Sequence, residues 1–315
     1  MKILITTIPF GELEPGTLGI LRDENIDFLL NPIGRKMRQD ELIPYAEGCE
    51  AIIAGTDRFT REILESLKSL KFISRVGVGL DSIDLEACKD LGIKVSYTPT
   101  APIKAVAELT VGLMFSLLRS IHISDNEVKS GQWFKRMGKR IVDSNIGIVG
   151  YGRIGRDIVE MLLGLGVKNI LINDLPDIEL PNDPRLHFAS KEEILKGSDI
   201  LSLHLPMTLE NRNFLSKEEL MKMKKDAYLI NTSRGGIINE EDLLHVLEKG
   251  HLGGVALDVF ENEPYSGPLC NIERCLLTPH LGPMTKDCRQ LMERQASEEI
   301  VRFFKGQPLN NQVNL

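Results

Sequence analysis

Short apolar runs rich in β-branched residues alternate along the chain with longer segments of helical period. Residues 3–6, 28–30, 51–54, 72–76 and 94–96 read as strands, with helical patterns such as 60–70 and 84–91 between them. That alternation predicts a parallel sheet covered by helices. Prolines break it at Thr98-Pro99-Thr100-Ala101-Pro102, after which residues 105–119 carry apolar positions at helical spacing and read as a helix buried nearly all round. A second alternating series follows, with strands expected at 146–149, 169–173, 200–203, 227–230, 254–257 and 276–278. These strands are so apolar that both faces of their sheet are expected to be covered. Residues 286–305 form one long amphipathic pattern that stops at Gly306-Gln307-Pro308. Because this helix follows a completed second sheet, it is expected to return to the first domain. The predicted division is a discontinuous domain of residues 1–99 and 285–315 and a second of residues 100–284, joined by two crossings that suit hinge closure over a cleft.

Composition narrows the function classes. The 315 residues carry a net charge of −7 without a basic run, so nucleic acid is not an expected partner. Cys49, Cys88, Cys270, Cys275 and Cys288 make an odd set with no CxxC pair. That pattern reads as reduced thiols in a cytoplasmic protein, with no metal expected. The N-terminus, Met1-Lys2-Ile3-Leu4-Ile5-Thr6, reaches charge too soon for a signal peptide. The apolar stretch 109–118 is too short to span a bilayer, so no membrane partner is expected.

The chemistry begins at Gly150-Tyr151-Gly152-Arg153-Ile154-Gly155, which directly follows a predicted strand and opens a predicted helix. In that context Gly150 permits a tight turn, Gly152 lets backbone approach a pyrophosphate, and Gly155 lets helix and strand pack closely. About 20 residues on, the next strand ends at Asp174, where a carboxylate accepts ribose hydroxyls and repels a 2′-phosphate. NAD is thus expected rather than NADP. The plainer alternative is a tight turn with Asp174 an ordinary turn residue.

Three later strands end in polar residues. Asn231-Thr232-Ser233-Arg234-Gly235 follows one, Asp258-Val259-Phe260-Glu261-Asn262-Glu263-Pro264 another, and Thr278-Pro279-His280-Leu281-Gly282 the last. Ligands of open α/β sheets bind beyond such carboxyl ends. Reduction of a 2-oxo acid needs a cation for the carboxylate, a proton donor for the developing alkoxide and a hydride over C2. Arg234 has the planar fork for the first and His280 the imidazole for the second, while Glu263 would stabilise imidazolium and fix the tautomer. Taken singly, each has a bland explanation: a solvated arginine, a structural histidine, a glutamate in a turn.

Those segments in that order resemble the D-isomer-specific 2-hydroxyacid dehydrogenases over almost the whole chain. The resemblance implies two doubly wound parallel-sheet α/β domains, a flavodoxin-like substrate domain and a Rossmann NAD-binding domain. It implies a catalytic set of Arg234, Glu263 and His280, and Asp258 on the nicotinamide carboxamide. Further NAD contacts are implied for Arg153, Ile154, Asp174, His204, Thr232 and Gly282. Arg75-Val76-Gly77-Val78-Gly79-Leu80-Asp81-Ser82-Ile83-Asp84 is similar to the family's substrate-carboxylate loop, implying substrate contacts from Arg75, Val78 and Gly79. This loop and Ala107-Glu108-Leu109-Thr110 are most similar to 3-phosphoglycerate dehydrogenases, here expected without a regulatory domain. In that subgroup Lys135 and Arg136 of Trp133-Phe134-Lys135-Arg136 would reach a phosphate across a homodimer interface formed by the nucleotide-binding domain.

There are departures from the pattern. Pro99-Thr100-Ala101-Pro102 lacks the usual pocket asparagine, Ser82 replaces another asparagine, Pro283 stands where serine is common, and segment 139–145 is short. These bear on substrate identity, for which 3-phosphoglycerate leads, followed by hydroxypyruvate or glyoxylate. Other readings are a dinucleotide-sensing scaffold without turnover, and NAD-linked oxidation of formate or phosphite.

Overall fold

The computed structural model describes residues 1–175 and 177–315. They form two compact units, residues 1–102 with 283–315, and residues 103–282. The divisions fall a few residues from the 99/100 and 284/285 boundaries read in the sequence.

In the first unit the order is β1 (Lys2–Ile5), α1 (Pro15–Asp23), β2 (Asp27–Leu30), α2 (Gln39–Ala46), β3 (Ala51–Ala54), α3 (Arg61–Ser66), β4 (Phe72–Arg75), α4 (Leu85–Asp90) and β5 (Lys94–Ser96). The sheet runs β2-β1-β3-β4-β5, all parallel. This is the flavodoxin-like order. Every residue of β3 and β4 is buried, as helices on both faces require. Asp84 starts α4 by accepting the Ala87 N–H at 2.8 Å. The third helix ends earlier than its apolar period, because Ser66 turns its hydroxyl back onto the Ile63 carbonyl at 2.6 Å and the chain tightens into turns through Leu70.

The second unit holds α5 (Ile103–Leu118), α6 (Ile121–Lys129), β6 (Asn145–Val149), α7 (Arg153–Gly164), β7 (Asn169–Asn173), β8 (Leu186–Phe188), α8 (Lys191–Gly197), β9 (Ile200–Leu203), α9 (Lys217–Lys222), β10 (Tyr228–Asn231), α10 (Glu240–Glu248), β11 (Gly254–Leu257) and β12 (Cys275–Leu277). Its parallel sheet runs β12-β11-β10-β9-β6-β7-β8. Strand order reverses between β6 and β9, which is where a doubly wound sheet takes its ligand. Two features depart from the sequence reading. The edge strand β8 gives no pattern to read, since only Leu186 of its three residues is buried. Helix α5 is not buried all round: Lys104, Glu108 and Gly112 form an exposed stripe, flanked by half-buried Val111 and Phe115.

The last helix, α11 (Lys286–Phe304), packs on β3, β4 and α1 of the first unit. The Phe72 and Phe303 rings stack with centroids 4.7 Å apart. A buried Arg289–Glu293 pair at 2.8 Å fastens the β1–α1 loop, Glu293 taking the Gly11 N–H at 2.8 Å. Among the described residues, no single helix is long and apolar enough to cross a membrane.

Candidate active site

At the carboxyl end of β6 the three motif glycines have different reasons to be glycine. Gly150 has φ +97°, and a Cβ there would sit 2.5 Å from the His204 carbonyl oxygen. On Gly155 a Cβ would lie 2.1 Å from the Gly150 oxygen. Both are demanded by the protein's own packing. A Cβ on Gly152 meets nothing within 4 Å, so packing does not explain that glycine, and its backbone is left open to approach by an external group. No side chain caps α7 at Gly152, leaving the first-turn N–H groups of exposed Arg153 and half-buried Ile154 suited to phosphate oxygens.

Asp174 follows β7 and turns back to this loop. Its carboxylate accepts the Tyr151 N–H and, at 2.6 Å, the Leu175 N–H. Each oxygen keeps a lone pair for a ribose hydroxyl. His204, following β9, donates its N–H to Val149 at 2.7 Å and shares a hydrogen bond between Nε2 and Ser202 Oγ at 2.9 Å. Among the described residues its buried Nδ1 has no partner, the kind of polar atom a bound cofactor satisfies. Burial pushes this imidazole down to about 3, so it is neutral. After β10, the Thr232 and Thr110 hydroxyls lie 2.8 Å apart. Thr110 spends its proton on the Val106 carbonyl, so Thr232 is the donor. Sequence reading gave Ser202 and Thr110 no role of their own: Thr110 meets Thr232 across 122 residues of chain, and Ser202, two residues before His204, reads as one more strand residue.

Three adjacent strands, β10, β11 and β12, carry the remaining residues at their carboxyl ends. Asn231 ties off the first loop: its Oδ1 accepts from Ser233 N and Oγ, and its Nδ2 donates to the Arg234 carbonyl at 2.8 Å. Arg234 Nη1 donates to the Ser233 carbonyl at 2.6 Å. A Cβ on Gly235 would lie 2.0 Å from the Phe260 carbonyl atoms, so this glycine lets the arginine loop lie directly on the backbone that follows β11.

Asp258 is 1 % exposed and organises the histidine loop. Its carboxylate accepts Thr278 Oγ1 at 2.5 Å, Leu281 N at 2.7 Å and Gly282 N at 2.8 Å, and its carbonyl accepts His280 N at 3.0 Å. Burial raises the carboxyl's proton affinity, and these bonds counter the rise. About one acceptor position is left on Oδ2 for an external amide. So held, His280 takes a left-handed φ of +57° and sets Nδ1 at 3.0 Å from Glu263 Oε2 and 3.3 Å from Oε1. A carboxylate only accepts, which assigns the proton to Nδ1 and leaves Nε2 for external exchange. Glu263 is steadied through the Phe260 N–H at 3.1 Å and stands on a cis bond to Pro264.

In the first unit, Arg75 ends β4 and is 8 % exposed. Its Nη1 donates to the Val76 carbonyl, folding the guanidinium over Gly77. Thr98 pins that glycine from both sides, accepting its N–H at 2.7 Å and donating to its carbonyl at 3.0 Å. The half-buried Val78 and Gly79 N–H groups donate to no protein acceptor among the described residues. Arg136 forms a bidentate pair with buried Glu127, Nη2 to Oε1 at 2.6 Å. Lys135 is exposed.

Comparison with known proteins gives these residues a context. The family model described as D-isomer specific 2-hydroxyacid dehydrogenase, NAD binding domain, matches residues 111–282. A glyoxylate reductase of Thermofilum pendens is 38% identical over 263 residues, covering 80% of this chain and 77% of that protein. A D-3-phosphoglycerate dehydrogenase of Bacillus subtilis is 35% identical over 267 residues, covering 84% of this chain but only 51% of that protein, so the chain spans about half its length. The crystal structure of an Aquifex aeolicus D-lactate dehydrogenase, complexed with NAD and lactic acid, superposes with a TM-score of 0.86 at 26% identity, covering 99% of both chains. Matches of this extent and identity mean that the chain belongs to the D-isomer-specific 2-hydroxyacid dehydrogenases, a family of NAD-dependent enzymes.

Proposed function

We propose that the chain interconverts a small D-2-hydroxy acid and its 2-oxo acid, with Arg234, Glu263 and His280 as its catalytic residues. The observation that carries this is the Glu263–His280 contact, held at 3.0 Å by a loop that Asp258 braces at four points. NAD, when bound, takes up or supplies the hydride at C2. In reduction Nε2 of His280 gives its proton to the C2 oxygen, and in oxidation it takes that proton back. Glu263 fixes the tautomer and stabilises the imidazolium. Arg234 meets the carboxylate with two parallel N–H groups. Arg75 and the Val78 and Gly79 amides are the proposed substrate contacts of the first unit. For NAD, we assign Gly150, Gly152, Arg153, Ile154 and Gly155 to the pyrophosphate and Asp174 to the adenosine ribose. His204, Thr232, Asp258 and Gly282 are assigned to the rest of the cofactor.

For the substrate we favour hydroxypyruvate or glyoxylate over 3-phosphoglycerate. The observation behind this is the engagement of Arg136 by Glu127, which spends the guanidinium that a phosphate would need. Relatives are divided between these activities. The purified protein is expected to consume NADH with glyoxylate or hydroxypyruvate, followed by absorbance, at a kcat/KM at least about tenfold above that for 3-phosphoglycerate oxidation with NAD. Faster turnover of 3-phosphoglycerate would reverse the order. Tight NADH binding without turnover of any of the three would favour a dinucleotide-sensing scaffold. We further assign the protein to the cytoplasm, where its five free thiols would stay reduced.

A further inference from the structure

The Phe260–Glu261 peptide supports both halves of the site. Gly235 of the arginine loop lies on it, with a Cβ there only 2.0 Å from the Phe260 carbonyl carbon and 2.5 Å from Glu261 N. Glu263 draws on the same stretch through the Phe260 N–H. What fixes this peptide's backbone comes from elsewhere in the unit: Glu240, the first residue of α10, accepts the Glu261 N–H on Oε1 at 2.7 Å, while Arg212 holds only the Glu261 side chain. Helix α10 is a rigid mount, capped by Asn239 at Asp242 N, 3.0 Å, and anchored by fully buried Leu243, Val246 and Leu247. The Glu240 carboxylate keeps this position although burial and the charges of Glu261 and Glu263 all raise its proton affinity. Charge alone would drive it away; the hydrogen bond explains its place.

Resting on the catalytic assignment above, we infer that Glu240 is a positioning residue for the reaction, clamping the Phe260–Glu261 peptide so that Arg234 and Glu263 keep their places relative to His280. What matters is an acceptor oxygen at the end of this side chain, not its charge. An amide oxygen therefore suffices and a methyl does not.

Glu240→Ala is expected to lower kcat and raise KM for the 2-oxo acid, cutting kcat/KM by about 10²-fold, the scale of a small misplacement of reacting groups. NADH affinity is expected to stay within about twofold, since no cofactor-loop contact is touched. Glu240→Gln restores kcat/KM to within about threefold of the parent, a rescue that charge loss would not allow. Amide hydrogen exchange at Phe260 and Glu261, which needs no substrate, accelerates about tenfold in Glu240→Ala and not in Glu240→Gln. A parent without turnover thus defeats the catalytic assignment, whereas unchanged exchange in Glu240→Ala defeats the clamp. Parent-like kinetics in Glu240→Ala, or equal damage in Glu240→Gln, also overturns it. Should Glu240→Ala not fold, Glu240→Asp, which withdraws the carboxylate by one methylene, is read in the same way.

Discussion

At His280 the backbone itself restricts what a test can use, because φ is +57° and most side chains resist that conformation. Asparagine tolerates it, so His280→Asn removes proton transfer while keeping the loop. Turnover is expected to fall roughly 10²–10⁴-fold, the usual range for a general acid–base group, with NADH binding by fluorescence titration unchanged. Parent-like turnover in that variant would remove His280 from the mechanism. His204 offers a different handle, since its imidazole is held down to about 3 by burial while the unfolded chain titrates it near 6.5. Below pH 6.5 the unfolded state binds the extra proton and the folded state does not. The stabilisation is therefore complete above 6.5 and is lost as pH falls towards 3, at up to about 1.4 kcal/mol per pH unit. In urea titrations the parent is expected to lose stability more steeply over that window than His204→Gln. Equal slopes would mean that the histidine is protonated in the folded protein.

At the scale of elements, two glycine substitutions separate packing from ligand binding. Gly152→Ala places a methyl where no protein atom lies within 4 Å, at φ −74°, so the thermal midpoint is expected to hold while NADH affinity falls by about tenfold or more. Gly235→Ala drives a methyl into the Phe260 carbonyl and forces the arginine loop off its support. There turnover is expected to collapse while NADH, held mainly through the pyrophosphate at the β6–α7 loop, still binds. Loss of NADH binding in Gly235→Ala, or its retention in Gly152→Ala, contradicts this division. The same elements show what was legible in the sequence. Strands buried on both faces announce themselves, and β3, β9 and β11 lie at the residues their apolar runs predict, as does β7 with one face half-buried. The short edge strand β8 buries one side chain and leaves no period to find. The residues proposed for the site were visible as types at strand ends. What joins them was not, because the Thr110–Thr232 and Glu240–Glu261 bonds depend on residues distant in the chain.

The assembly of the whole molecule is the property least accessible from its own core. Composition gives a globular α/β chain, and burial satisfies each unit by itself, yet residues 129–140 are exposed throughout. That segment carries Trp133 at 79 %, Phe134 at 63 % and Met137 at 96 % exposure, with Ile121 and Val128 of α6 also exposed. A solvated loop gains nothing from such side chains, and contiguous exposed apolar surface marks an interface. The segment is not loose, since Arg136 in its middle is tied to Glu127 of α6 and approaches Glu273 at 3.7 Å. A fixed arm with apolar side chains turned outward is what a second copy of the chain would cover, each protomer burying on the order of 800 Å² in a standard interface. The parent is therefore expected to scatter light as a homodimer at micromolar concentration. Trp133→Ser combined with Met137→Ser should yield a monomer, because both lie outside the core and their loss costs the fold little. If the double variant stays dimeric, the copies meet through another face. If the parent is monomeric at these concentrations, no second copy covers the arm.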